Sequence, residues 1–182
     1  MGPAWLKKAE IKEPDLKGAI DYVLTYEELR DLFTTTDIDL EHLEEDNVPH
    51  ASRAGIRYAY AGGVAEAVAA TVKRLDPNRK IEVKVRRADS VPDCKAMIDS
   101  ILKGNREGNF FEGMGCRGGC VGGPKALVPK EQGKLNVMAY SDESTYKTPA
   151  ENPYVIELLK QLGFETVEEF LTKSDLYDRK FD

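Results

Sequence analysis

The hydrophobic and polar positions of this chain follow two different periods, which predict two kinds of secondary structure. Apolar or β-branched residues that alternate with polar ones predict strands, which fall at 20–24, 81–87 and 109–112. Apolar residues at helical spacing predict helices, which fall at 26–33, 64–75, 92–103, 153–162 and 167–173. Because strands and helices alternate, the sequence predicts an α/β fold, with a sheet of a few strands flanked by helices.

Capping residues sharpen some of these boundaries. Thr25 and Glu28 form the pattern of a capping box at the start of the helix at 26–33. The pair Gly62 and Gly63 opens the alanine-rich helix at 64–75, and Gly163 separates the last two helices. A helix that begins at such a glycine pair can bind an anion. No Gly-x-Gly-x-x-Gly or Walker pattern accompanies the pair, so the sequence favours close helix packing over nucleotide binding.

The segments between these elements are predicted to be loops. Residues 1–17 are polar and irregular, and residues 49–60 and 125–133 show neither period. Leu40 and Leu43 lie in an acidic stretch, 37–47, where they predict a short helical turn. The helix at 92–103 is predicted to point its apolar residues inward, namely Cys94, Met97, Ile98 and Ile101.

Composition restricts the classes of function. The formal net charge is −6 and the pI is about 5.1, which argues against nucleic acid or an anionic membrane as a partner. No apolar run reaches 18 residues, and no secretory leader is recognisable at the N-terminus. The three cysteines favour a reducing cytoplasm. A length of 182 residues predicts a single domain, 1–182, or one lobe of a larger domain.

The strongest chemical signal is a glycine-rich loop at 110–124 that contains two cysteines. Cys116 and Cys120 lie four residues apart, and thiolates are preferred ligands of zinc, copper(I) and iron–sulfur iron. Glycines let a backbone approach an inorganic cluster closely and leave amides free to bond its sulfurs. The spacing alone leaves three alternatives open: a metal or cluster site, a disulfide, or two inert thiols. The third cysteine, Cys94, is expected to be a core residue.

The residues around the two cysteines carry a family resemblance. Glu112, Met114, Cys116 and Cys120, with the glycines between and after the cysteines, resemble the third signature of the iron–iron hydrogenases. Three further stretches resemble segments of the same family, at 52–55, 61–67 and 151–153. The resemblance therefore extends over nearly the whole chain.

The N-terminus resembles the second signature of that family, with two departures. Lys7, Lys8 and Glu10 match the signature, whereas Ala4 replaces a cluster-ligating cysteine and Leu6 replaces an alanine. The first signature, which contains the proton-relay cysteine of the family, has no counterpart in this sequence. The resemblance implies that residues 1–182 form the C-terminal lobe of the catalytic domain.

The resemblance also implies roles for individual residues. Cys116 and Cys120 are expected to ligate a 4Fe–4S cluster, and one of them to bridge to a di-iron centre. Lys7 is expected to donate a hydrogen bond to a cyanide on the di-iron centre, with Glu10 ordering the lysine. Met114 is expected to pack beside the di-iron centre. Glu112 is a candidate acceptor for loop amides.

The implied activity of the intact enzyme is the reversible conversion of protons and electrons into dihydrogen. A 4Fe–4S cluster usually takes four cysteine ligands, and the matching positions here supply two of them. We therefore expect this chain alone to be inactive and to hold no complete cofactor. The expected partners are the other half of the catalytic domain, fused or as a separate subunit, and an electron carrier such as ferredoxin.

A different class of function remains open. Three departures from the family pattern, Ala4, Leu6 and Arg117, are also compatible with a non-catalytic relative, that is, a hydrogenase-like iron–sulfur, sensory or partner-binding module. A small zinc domain is disfavoured, because two thiolates without a nearby histidine make a poor tetrahedral site.

Overall fold

The computed structural model describes residues 4–44 and 50–176, with the backbone alone for residues 4–6. The helices are α1 (Ala4–Glu10), α2 (Tyr26–Thr35), α3 (Arg53–Ile56), α4 (Gly63–Leu75), α5 (Val91–Leu102), α6 (Lys130–Asp142), α7 (Pro153–Gln161) and α8 (Val167–Lys173). The strands are β1 (Val85–Asp89) and β2 (Phe110–Met114). Short 3-10 turns at Pro14–Leu16, Leu40–His42, Arg57–Ala59, Cys120–Gly122 and Pro149–Glu151 join these elements.

The centre of the fold is a β–α–β unit made of β1, α5 and β2. The two strands pair in parallel, with Val85 opposite Phe110 and Asp89 opposite Met114. A parallel pair needs a crossover connection, and α5 supplies it by packing against both strands. Both strands end at the same edge of the sheet, so the residues that follow Asp89 and Met114 lie close together. The predicted α/β class, a small sheet flanked by helices, is confirmed.

The helix α4 packs against β2 on one side and α3 on the other. The buried apolar side chains are small at this interface and include Ala54, Ala65 and Ala67. Small side chains allow the helices and the sheet to approach closely, as the alanines of the predicted helix at 64–75 suggested. Several buried side chains are polar instead, among them Asn152, whose amide nitrogen donates to the carbonyl of His50 at 2.8 Å.

The folded chain leaves an unusually large surface uncovered. Its accessible surface is 13585 Å², whereas a folded monomer of this mass exposes about 8,800 Å² by the usual scaling. Many large apolar side chains contribute to the surplus, for example Tyr22, which is 87% exposed, and Leu102, which is 80% exposed. The chain therefore exposes more surface than a folded monomer of its mass usually does, and large apolar side chains are part of that surface.

Most of the predicted helices are confirmed. The capping box at the start of α2 is present, because Thr25 Oγ1 accepts from the amide of Glu28 at 3.0 Å and the Glu28 carboxylate accepts from the amide of Thr25 at 2.8 Å. The short turn predicted at Leu40 is the 3-10 turn Leu40–His42. The last part of the acidic stretch, 45–47, and Pro49 lie outside the described residues.

Three predictions about local structure were wrong. The segment 20–24 is not a strand, because among the described residues it pairs with no other segment. The predicted loop at 49–60 contains α3, which Ser52 caps by accepting from the amide of Gly55 at 3.2 Å. The predicted irregular segment 1–17 contains α1 and a 3-10 turn.

Two further boundaries and one predicted side-chain orientation differ from the structure. The first part of the segment 81–87 is not paired, so β1 begins at Val85 and extends to Asp89. The predicted loop at 125–133 ends where α6 begins, and this helix of 13 residues had no clear apolar period. On α5, Cys94 and Met97 are half-buried as expected, but Ile98 is 52% exposed.

Candidate functional site

Cys116 and Cys120 lie on the loop that leaves the C-terminal end of β2. The loop turns back on itself, because the amide of Gly119 donates to the carbonyl of Cys116 at 3.0 Å. Cys120 then opens a 3-10 turn in which the amide of Gly123 donates to its carbonyl at 3.1 Å. Both thiols are half-buried and neither is in a disulfide. The turn thus presents two reduced cysteines from one short, hydrogen-bonded stretch of backbone, which we call the cysteine loop (115–123).

The backbone conformation and packing of the cysteine loop require glycine at two positions. Gly119 has a φ of 79°, and a Cβ there would lie 2.6 Å from the backbone nitrogen of Ala61. A Cβ at Gly122 would lie 2.0 Å from the carbonyl oxygen of Arg117. Real Cβ atoms do not approach backbone so closely, so larger residues would force the loop to move. The glycines expected from the sequence to allow close approach therefore pack against protein backbone.

The cysteine loop is tied to two neighbouring elements through Gly118 and Gly119. The carbonyl of Gly118 accepts from the amide of Ala61 at 3.0 Å, and Gly119 forms an isolated antiparallel bridge with Tyr60. On the other side, the amide of Gly118 donates to Oδ1 of Asp89 at 2.8 Å. The loop is therefore held between the end of β1 and the start of α4.

Glu112, on β2, anchors the strand to the first turn of α4. Its carboxylate is 5% exposed and accepts from the amide of Gly62 at 2.7 Å and from that of Ala65 at 3.0 Å. The first amides of a helix lack intrahelical partners and carry partial positive charge, so they stabilise a carboxylate placed there. The anion that binds at this glycine pair is thus the protein's own side chain, and Glu112 bonds helix amides rather than amides of the cysteine loop.

Tyr60 packs under the cysteine loop. The residue is 2% exposed, and its hydroxyl donates to Oε2 of Glu66 at 2.9 Å. Burial and the Glu66 carboxylate raise the pKa of Tyr60 to about 12, so the phenol stays protonated at neutral pH. The Lys134 ammonium lies 5.0 Å from the ring centroid. Tyr60 therefore gives the loop a rigid neighbour.

The Cys116 thiol responds to its burial and to the second cysteine of the loop. Burial and, to a smaller extent, the neighbouring Cys120 raise the pKa of the Cys116 thiol. The position that a Cβ would take at Gly123 lies 3.9 Å from Cys116 Sγ. The Cys116 sulfur thus lies over the glycine backbone that follows the second cysteine.

The third cysteine does not belong to this pair. Cys94 lies on α5, is half-buried, and its sulfur lies 3.7 Å from the carbonyl oxygen of Met114 and 3.9 Å from that of Ala88. This placement between helix and sheet agrees with the expected core role. Within residues 4–44 and 50–176, no group of three or more histidine, cysteine or acidic side chains converges as a metal site. The described residues thus supply two thiolates, half of what a 4Fe–4S cluster takes.

The remaining predicted site residues lie in two places. Met114 ends β2 directly before the cysteine loop and is half-buried. Lys7 is on α1, where its ammonium pairs with the carboxylate of Glu10, as the resemblance implied. The next residue, Lys8, pairs with Glu28 on α2, so α1 is linked to α2. The structure brings Met114, Cys116 and Cys120 together, and it places Lys7 on a separate helix without extensive packing against the cysteine loop.

Sequence reasoning missed Asp89 and Tyr60 as supports of the site. The predicted strand ended at residue 87, so Asp89 was not recognised as the last residue of a strand parallel to β2. Its position at the carboxyl end of a strand was the available signal, because such ends adjoin sites in α/β sheets. Tyr60 gave no local signal, since its contact with Gly119 joins segments far apart in sequence.

Comparison with known families identifies the chain. The family model described as the iron only hydrogenase large subunit, C-terminal domain, matches residues 1–124, which is more than half of the chain. The match includes α1, the β–α–β unit and the whole cysteine loop. The chain therefore belongs to this family, and membership indicates iron–sulfur cofactors in the intact enzyme. Among the described helices, none has the length and apolar character needed to cross a bilayer.

Proposed function

We propose that this chain contributes Cys116 and Cys120 as thiolate ligands to a 4Fe–4S cluster beside a di-iron centre in an iron-only hydrogenase. The proposed reaction of the intact enzyme is the reversible oxidation of dihydrogen to protons and electrons. The observation that carries the proposal is the pair of reduced, half-buried thiols on one glycine-rich loop, in a chain that belongs to this family.

The surroundings of the loop support a ligand role. Thiolate ligands must be held in position before the metal binds if the site is to be specific. Asp89, Ala61 and Tyr60 hold the backbone of the loop at Gly118 and Gly119, between the two cysteines. These contacts fix the backbone of the loop between the two cysteines.

The donor set fits half of a cubane cluster. The described chain brings two thiolates together, whereas the sulfur of Cys94 lies beside the backbone carbonyls of Ala88 and Met114. In this proposal the ligands that complete the cluster come from other polypeptide, because the family's ligand position at residue 4 is alanine here. When bound, the cluster would pass electrons to or from the di-iron centre; the protein residues hold it and exclude water. Lys7 and Met114 are proposed as residues that contact the di-iron centre.

The exposed surface supports the need for a second polypeptide segment. The accessible surface of 13585 Å² exceeds the scaling value by about 4,800 Å². Each partner in a large obligate interface covers roughly 1,000–2,500 Å² of its surface. We propose that the N-terminal half of the catalytic domain, fused or as a separate subunit, covers much of this surplus. In this account residues 1–182 form one lobe, and the isolated chain has no hydrogenase activity.

The resemblance further suggests a ferredoxin-type electron carrier and a cytoplasmic location for the intact enzyme. Both belong to the proposal. They are tested by the dependence of hydrogen evolution on added carrier and by fractionation of cells that express the natural protein.

The proposal is tested by hydrogen turnover with and without the second half. This chain is produced alone and together with a polypeptide that carries the first signature of the family, and both samples receive the same anaerobic metal loading. Hydrogen evolution from reduced methyl viologen is expected only for the combination, and not when the combination carries Cys116→Ser. Equal turnover by the chain alone, or by the combination with Cys116→Ser, would contradict the proposal.

A non-catalytic relative is the second candidate, and Ala4 is the observation that favours it. The family has a cluster-ligating cysteine at this position, and alanine cannot replace it. If the combination binds iron and sulfide but evolves no hydrogen, and Ala4→Cys restores turnover, the natural protein is an iron–sulfur module without hydrogenase activity.

A further inference from the structure

A groove lies between α2 and the turn that follows it. Its volume is about 640 Å³. The floor is apolar and consists of Tyr26, Leu29, Phe33, Ile38, Leu40 and Leu127. The rim on one side is acidic and consists of Asp37, Asp39 and Glu41. We call this feature the acidic groove.

The apolar floor is open to solvent. Tyr26 is 50% exposed, Leu40 is 59% exposed and Leu127 is 51% exposed. Two apolar residues that precede α2 are exposed as well, Tyr22 at 87% and Leu24 at 54%. Contiguous apolar surface rimmed by polar residues is typical of an interaction site rather than of free protein surface.

The charge of this region is as distinctive as its apolar floor. Residues 26–44 contain seven acidic residues and one basic residue, a net charge of −6, with histidine neutral. This equals the formal net charge of the whole chain, so the remaining residues balance to zero. The negative charge of the protein is therefore concentrated along α2 and the turn after it.

The acids of this region fall into two groups. Glu27 and Glu28, at the start of α2, pair with the ammonium groups of Lys125 and Lys8 and fasten the helix to its neighbours. On the groove rim, by contrast, Asp37 and Glu41 form no ion pair with a lysine or arginine of the described chain. Asp39 pairs with His42 Nδ1 at 2.7 Å. Within residues 4–44 and 50–176, the rim thus presents carboxylates that pair with no lysine or arginine. Arg30 also lines the groove, but its guanidinium pairs with Asp31 at 3.0 Å.

We propose that the acidic groove binds a cationic amphipathic segment of a partner polypeptide. Apolar side chains of that segment would fill the floor, as in other complexes in which a helix lies in a groove, and its lysines or arginines would pair with Asp37, Asp39 and Glu41. Nucleic acid and anionic lipid carry the wrong charge for this rim. A second copy of the chain would bring the same negative region. The proposal rests on this surface alone and not on the cysteine loop.

The test uses a synthetic peptide of 14 residues, built only of leucine and lysine, with leucines at helical spacing. Two comparison peptides have the same length: one is scrambled, and one carries glutamate in place of lysine. Binding to the full chain is measured by calorimetry at low and at physiological salt. We expect the amphipathic cationic peptide to bind, the glutamate peptide to show no binding, and the affinity to fall with added salt, because exposed charge pairs are screened.

Three variants locate the binding surface. Removing two rim charges in Asp37→Asn with Glu41→Gln is expected to weaken binding about tenfold. Asparagine tolerates the positive φ of 56° at position 37, so the backbone is preserved. Leu40→Ala removes floor area and is expected to weaken binding about fivefold. The control pair Glu143→Gln with Glu157→Gln removes two exposed charges elsewhere and is expected to change the affinity less than twofold.

The results distinguish a cationic amphipathic segment in the groove from a second copy of the chain and from attraction by total charge. Loss of affinity in both groove variants, with the control unchanged and the scrambled peptide weaker, supports the proposal. An equal loss of affinity in the control pair, or equally tight binding of the scrambled peptide, would overturn it. Binding would then depend on the total charge of protein and peptide and not on the groove. Self-association of the free chain that Leu40→Ala abolishes would also overturn it and assign the groove to a second copy. Circular dichroism of each variant shows whether it is folded.

Discussion

The carboxylate of Glu112 accepts a hydrogen bond from the backbone amide of Gly62 at 2.7 Å, fifty residues earlier in the chain. A second bond, from the amide of Ala65 at 3.0 Å, completes the cap on α4. Through this one side chain, the strand that leads into the cysteine loop is fixed to the helix that packs beneath it. The buried Glu112 carboxylate thus helps to position the cysteine loop, although it is not one of the proposed cluster ligands.

Replacing Glu112 by glutamine should therefore lower the stability of the fold. The two backbone donors bond to different oxygens of the carboxylate, so in glutamine the NH₂ group would face one of them and could not accept. We expect the free energy of unfolding in urea to fall by about 1–3 kcal/mol. Glu157→Gln, on the exposed face of α7, is the matched control and should leave the urea midpoint unchanged. Equal midpoints for Glu112→Gln and wild type would refute the anchoring role.

Asp89 should control how tightly the cysteine loop is held. In Asp89→Ala the amide of Gly118 loses its acceptor, so the loop should open more often and its thiols should react faster. One lost hydrogen bond of about 1 kcal/mol corresponds to a roughly fivefold faster reaction with a disulfide reagent. Asp89→Asn keeps an acceptor oxygen and should react at nearly the wild-type rate. An equal rate in Asp89→Ala and in the exposed control Asp99→Ala would contradict the assignment.

Gly119 should tolerate no side chain, for reasons of space as well as backbone conformation. Its φ of 79° resembles the φ of 87° at Gly104, but a Cβ at Gly104 would meet nothing within 4 Å. Gly104→Ala should therefore cost only the conformational strain, about 1–2 kcal/mol. Gly119→Ala should cost at least about 2 kcal/mol more, because its Cβ would collide with the backbone before α4. Urea unfolding of the two variants measures this difference. Similar decreases in the free energy of unfolding would mean that the cysteine loop can shift to accommodate the added methyl group.

The pH dependence of alkylation tests the coupling between the two thiols. Because burial and Cys120 raise the pKa of Cys116, its thiolate forms at higher pH than in an ordinary exposed cysteine. The alkylation rate of Cys116, followed by peptide mass spectrometry, should rise with a midpoint above the usual thiol value. In Cys120→Ser one source of the shift is removed, so the midpoint should move down. An unchanged or higher midpoint in that variant would show that the two sulfurs do not interact.

The sequence predicted helices where the signals were local. The capping box of Thr25 and Glu28, for example, gave the start of α2, because all its partners lie within one helical turn. The fold class could be predicted for the same reason, from the alternation of strand and helix patterns around residues 81–112.

Features that depend on distant contacts could not be predicted in this way. The helix α6 lacks a clear apolar period. It packs instead through a buried glycine, Gly133, whose backbone faces Val121 of the cysteine loop. The segment 20–24 has a strand pattern, yet pairing needs a neighbour that the described chain does not place there. The two cysteines were recognised from their spacing and flanking residues, whereas Asp89 and Tyr60 act through partners that only the fold brings near.

The most direct test of the account is the anaerobic iron and sulfide content of this chain after reconstitution in excess 2-mercaptoethanol. The external thiol can supply the ligands that the chain lacks, while Cys116 and Cys120 supply the others. The account predicts about four irons and four sulfides per chain, as one 4Fe–4S cluster requires. This content should be lost in Cys116→Ser and in Cys120→Ser, and retained in Cys94→Ser. Equal iron in all four proteins, or none in the wild type, would contradict the claim that the cysteine loop ligates a cluster.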